Sequence, residues 1–170
     1  MSTTLLISTN SFSERVDVSS HIADKYLDRH ILTAQDRYLR PILGDAFFNQ
    51  LLDEKETGYW TGGNEAFVTD RVTPFLVWRS YQVYLPHSQI FMTGMGPRVM
   101  QEDNSRPLSD KQIQVLTDQA RDQAQFFERI LIEYLDDNKA DFELWAESCD
   151  KHRNNHLPRL TSAGKRSREQ

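Results

Sequence analysis

The chain has 170 residues, the length of one domain with a modest core and too short for a second. Apolar residues make up 38% and charged residues 26%, with only 7 Gly and 6 Pro, a balance that excludes a disordered chain and favours a mainly α fold over an all-β one. The formal charge of -5 is uneven: residues 1–149 hold 14 basic and 23 acidic side chains (14 minus 23, or -9), and residues 150–170 hold 6 against 2 (+4), so a basic tail follows an acidic body.

The first 18 residues lack helical periodicity and read as an arm, with Thr3 to Ile7 as its best candidate strand. They have no basic n-region and only a short apolar run, Leu5 to Ile7, so no secretory signal is expected. From the hydroxyl caps Ser19/Ser20, a helix is predicted whose apolar stripe is Ile22, Tyr26, Leu27, Ile31, Ala34 and Tyr38. Pro41 disfavours the α region for Arg40, which predicts a bend there and a second helix carrying Ile42, Leu43, Phe47, Phe48, Leu51 and Leu52, with Gly44 allowing close helix approach. A polar loop, EKETGYWTGGNE, follows, with Tyr59 and Trp60 as its anchors. Residues 65–85 predict a helix kinked at Pro74 and ended by Pro86. Its longest uncharged apolar stretch, Val72 to Trp78, is far short of the roughly 20 residues that span a bilayer.

The segment SQIFMTGMGPRVM (88–100) is apolar but broken by Gly94, Gly96 and Pro97, and it predicts a hairpin with strands Gln89 to Met92 and Arg98 to Met100. After the turn-rich EDNSRPLSD, Ser109 and Gln112 form a capping box, and Ile113, Leu116, Ala120, Gln123, Phe127, Ile130 and Tyr134 predict a heptad-like seam. That helix covers about 29 residues, roughly 43 Å, more than a small core can partner. Asn138 is placed to end it in the left-handed region, and a short amphipathic piece, Phe142 to Ala146, follows. The organisation is therefore an arm (1–18), a helical domain (19–148) and a basic tail (149–170).

No catalytic constellation or cofactor site emerges. The single cysteine, Cys149, excludes an internal disulfide framework and suits a reducing cytoplasm. With His152 and His156 it has spacings of 3 and 4 that zinc would accept, but three local ligands on a polar tail favour a solvated segment. AGKRS (163–167) lacks the first glycine of a phosphate loop, and Asp136, Asp137 and Asp141 lack the spacing of a calcium loop. His21, His30 and His87 are read as isolated.

Three stretches in order, ILTAQDRYLRPILGDAFFNQL (31–51), VTPFLVWRSYQVYLPHSQIFMTGMGPRV (72–99) and ERILIEYLDDNKADFELW (128–145), resemble the head-tail connector, or adaptor, proteins of tailed bacteriophages, especially those of gut Bacteroidetes phages such as the crAss-like group. The resemblance implies a non-enzymatic helical subunit without a cofactor, assembled in the bacterial host cytoplasm into a ring of twelve copies in the virion neck. Such a ring links the portal protein to the next neck or tail protein, and genomic DNA passes through its centre during ejection, with no membrane involved. It implies a portal-docking role for the tail, here Lys151, Arg153, Arg159, Lys165, Arg166 and Arg168. Candidate subunit-interface residues are Phe91, Met92, Met95, Val99 and Met100 of the hairpin segment and Phe126, whose neighbour Phe127 points about 100° away on a helix. The alternative is a helical nucleic-acid-associated packaging or regulatory protein whose basic tail contacts DNA in a salt-sensitive way.

Overall fold

A computed structural model describes residues 4–16, 24–93, 96–99 and 107–147, with no description of side chains at 13, 24–26, 90–93 and 96–99. The protein is mainly α-helical. In chain order the helices are α1 (Thr9–Ser13), α2 (Asp24–Ala34), α3 (Arg40–Leu43), α4 (Asp45–Thr57), α5 (Asn64–Phe67), α6 (Thr73–Tyr84) and α7 (Asp110–Asp137). Strands β1 (Ile90–Thr93) and β2 (Gly96–Val99) lie between α6 and α7 and pair antiparallel, Ile90 opposite Val99 and Thr93 opposite Gly96. The first strand thus starts one residue later than expected, and the second starts two residues earlier, at Gly96.

Helix α6 occupies the centre, with α2 on one side and α7 on the other. Phe75, Leu76 and Val77 are completely buried because a central helix must be apolar on more than one face. Around Phe67 an aromatic cluster closes one end of the core: its ring lies 5.8 Å from Phe47, 5.0 Å from Phe142 and 5.9 Å from Tyr134. Offset and tilted rings at these separations add to their area burial.

Proline is accommodated twice by the same device. Gln35–Leu39 and Val68–Val72 are π-helical turns, and each ends two residues before a proline. Arg40 N–H bonds the Gln35 carbonyl and Thr73 N–H bonds the Val68 carbonyl, so the wider turn shifts the ladder just where Pro41 and Pro74 lack a donor. The bend expected at Arg40 therefore does not occur there, because Arg40 is itself α-helical (φ -55, ψ -43). The break falls at Gly44 (φ 76, ψ 157), a conformation that only glycine adopts readily.

The expected strand in the arm does not form. Residues 4–7 are irregular and are held by one buried side chain, Gln35, which accepts the Leu6 N–H (2.7 Å) and donates to the Thr4 carbonyl (3.2 Å). No neighbouring strand edge is needed, since an amide presents the same donor and acceptor as a peptide group. Leu6, Ile7, Phe12 and Val16 join the main core. The proposed caps Ser19/Ser20 lie outside the described residues.

Helix α7 begins on the Ser109/Gln112 capping box, with Gln112 Oε1 accepting the Ser109 N–H at 2.9 Å and Ser109 Oγ accepting the Gln112 N–H at 3.4 Å. Its buried line is Ala120, Ala124, Leu131 and Leu135. Of the expected seam only Ala120 is buried, while Gln123 is exposed and the others are half-buried. The buried face of α7 therefore runs through the small Ala120 and Ala124 to Leu131 and Leu135, beside the expected seam. Asn138 is not left-handed (φ -114, ψ 32), and its Nδ2 donates instead to the Tyr134 carbonyl (2.7 Å). Trp145, in the helical turn 143–147, donates its Nε1–H to the Ile42 carbonyl at 3.0 Å, satisfying a group freed by the break at Gly44.

Candidate functional site

The start of α7 differs from the rest of the helix, which buries Ala120, Ala124, Leu131 and Leu135. From Asp110 to Gln119 no side chain is buried, a span of about 15 Å. Ile113 and Leu116 are half-buried, Val115 is 49% exposed, and Leu108 just before the cap is 41% exposed. Eleven residues beyond Val115, and hence on nearly the same helix face, Phe126 is 47% exposed, with its ring edge-on to the half-buried Phe127 at 5.3 Å. The hairpin starts beside this helix end: Gln89 Nε2 donates to the Leu108 carbonyl at 3.2 Å. Together they form a candidate assembly surface.

The second half of α7 is fixed to the centre by Arg79. Its guanidinium donates to Glu128 Oε2 at 2.5 Å and to Gln82 Oε1 at 2.9 Å, and it lies 4.8 Å from the Tyr38 ring centroid. One side chain thus ties α6 to α7 and to the π turn after α2, although its Nε has no partner among the described residues.

A polar cleft of about 430 Å³ lies between the α4–α5 loop and the chain after α7. One wall is built on the buried Glu54, which accepts hydrogen bonds from Gln50 Nε2 (2.7 Å), from Asn64 Nδ2 on both oxygens (3.0 and 2.8 Å) and from Thr61 Oγ1. Burial acts to raise the Glu54 carboxyl, but the bonds from Thr61, Asn64 and Gln50 together outweigh it and hold the group below the ordinary carboxylate range. The opposite wall carries Asp141 and Glu143.

His30 and His87, which appear isolated in the sequence, are stacked 5.6 Å apart at 19°, and Tyr84 lies edge-on to His30 at 5.6 Å. Burial, followed by the proximity of His87 and Arg29, holds the His30 imidazole below its usual pKa.

Of the sequence candidates, Phe126 is in the described surface. The side chains of Phe91, Met92 and Val99, and all of Met95, Met100, Cys149, His152, His156 and the basic tail residues, lie outside the described residues. Among the described residues no group of three or more His, Cys, Asp or Glu is placed to hold a metal ion. No described helix is long and apolar enough to cross a membrane. Sequence reasoning missed Gln35, Glu54, Asn64 and Arg79, all of them polar residues whose burial carries no local pattern.

These features define a mainly helical protein with a solvent-exposed half-helix and a buried polar scaffold. The chain belongs to a family of unknown function, DUF6712, whose model matches residues 39–155. No curated protein and no solved structure matches the chain.

Proposed function

We propose that the protein is a non-enzymatic structural subunit of a bacteriophage neck. In this reading twelve copies form a ring adaptor between the portal and the next neck or tail protein, and DNA passes through the channel. The observation that carries the reading is the first half of α7, where ten successive helical residues bury no side chain. Helices in water gain most of their stability from packing an apolar face, so a capped helix that leaves Val115 exposed and Leu116 half-buried is suited to a neighbouring subunit. The long helix and the adjoining hairpin supply the contact. A two-stranded hairpin is marginal alone and gains stability when a neighbour covers it. Heterologous contacts of this kind close into rings when the rotation permits. The net charge of -9 over residues 1–149 suits a channel wall that must not retain DNA.

Native mass spectrometry of the purified protein, alone and with portal protein, tests the reading. A closed ring is expected. A monomer that persists at high concentration in the presence of portal overturns it.

A further inference from the structure

The cleft beside Glu54 has a polarity that selects its occupant. The Gln50 amide nitrogen is committed to Glu54 and Thr61, and the Asn64 amide nitrogen to both Glu54 oxygens, at 2.7 to 3.1 Å. The carboxylate therefore fixes the orientation of both amides and turns their oxygens away from it. Those oxygens accept no hydrogen bond from a described residue, although Asn64 is only 5% exposed and lines the cleft. The Gln50 and Asn64 side chains thus have only acceptors left to offer. Asp141 and Glu143 add two carboxylates opposite, and no Lys, Arg or His is among the lining residues. Such a site fits a group that carries several N–H donors and a positive charge.

We propose that this cleft binds a guanidinium or ammonium group from the chain's own basic segment, residues 150–170. Glu147, the last described residue, is only three positions beyond Leu144 on the cleft wall. Each extended residue adds about 3.3–3.6 Å, so all six basic residues of the segment can reach the site, and tethering raises their effective concentration to the millimolar range. Docking of this kind keeps the basic segment from other anionic surfaces until one of them displaces it, independently of whether the protein forms a ring.

Trypsin cleavage of the full-length protein within residues 151–168 reads out docking. At low salt it is expected to be slow, and about tenfold faster in Asp141→Asn/Glu143→Gln, which alters only exposed side chains, or in about 0.5 M sodium chloride. Equal rates overturn the proposal. Carbodiimide cross-linking of mixed heavy- and light-isotope protein then identifies the donor. Links from Lys151 or Lys165 to Asp141 or Glu143 within one copy support the assignment, whereas links only between copies overturn it in favour of a second chain.

Discussion

Arg79 shows how much of this fold depends on single buried polar groups. Its side chain is 9% exposed and that of Glu128 is 32% exposed, so the pair is partly shielded from water. Removing the carboxylate strands a guanidinium beside Tyr38 and Phe75. Glu128→Ala is expected to destabilise the protein by about 2 kcal/mol, less than the loss for a fully buried pair, and Arg79→Met/Glu128→Leu by less than the single change, because no charge is then left unpaired. Urea denaturation of both variants checks the order. The histidine pair gives a pH dependence with a definite sign. Because His30 is held below its ordinary 6.5, the unfolded chain binds the proton first. Its contribution is complete above about pH 6.5, falls as pH drops below that value and levels off once the folded protein also takes the proton. The groups facing it are Tyr84 at the end of α6, His87 just after it and Arg29 on its own helix. His30→Phe is expected to flatten the stability profile between pH 7.5 and 5, measured by denaturant titration. Glu54 acts in a separate window, since its stabilisation is present above its ordinary 4.5 and is lost only as pH falls through a lower value.

At the scale of elements, the breaks and caps are more telling than the helices themselves. Gly44 combines φ 76 with ψ 157 and is buried between α3 and α4. An added Cβ is strained there, so Gly44→Ala is expected to cost about 1–3 kcal/mol and to release the Trp145 hydrogen bond at Ile42, seen as a change in tryptophan fluorescence on thermal melting. The α7 cap is a different case because no residue from Asp110 to Gln119 is buried. Ser109→Ala is expected to cost about 1 kcal/mol and to increase amide exchange over residues 110–116 while leaving Ala120 to Leu135 protected, since that part is packed on α6. The apolar stripes and capping box that place these helices are legible in the sequence. The π turns are not, because each depends on how the following proline is accommodated within a continuous helix. The heptad-like spacing does not locate the contact face of α7, because the buried Ala124 is small and falls outside it, while Gln123 on the seam is exposed.

For the whole molecule, the main question is why a 28-residue helix is built when its first ten residues bury no side chain. In the ring reading the answer is a neighbouring subunit. Val115→Gln/Phe126→Gln is expected to abolish assembly in sedimentation velocity while shifting the melting temperature little, because both side chains are already about half exposed in one copy. A fall in stability without loss of assembly would assign these residues to the fold alone. The sequence by itself determined the mainly α class, the cap of α7, the apolar stripes of α2 and α4 and the split between acidic body and basic tail, since each is a local pattern or a sum over composition. Only the tertiary structure decided that Gln35 holds the arm, that Arg79 joins three elements, that Glu54 orients Gln50 and Asn64, and that two distant histidines stack. A buried polar group is defined by partners far along the chain, at separations such as 29 residues for Leu6 and Gln35 and 49 for Arg79 and Glu128, and no periodicity encodes such a pairing.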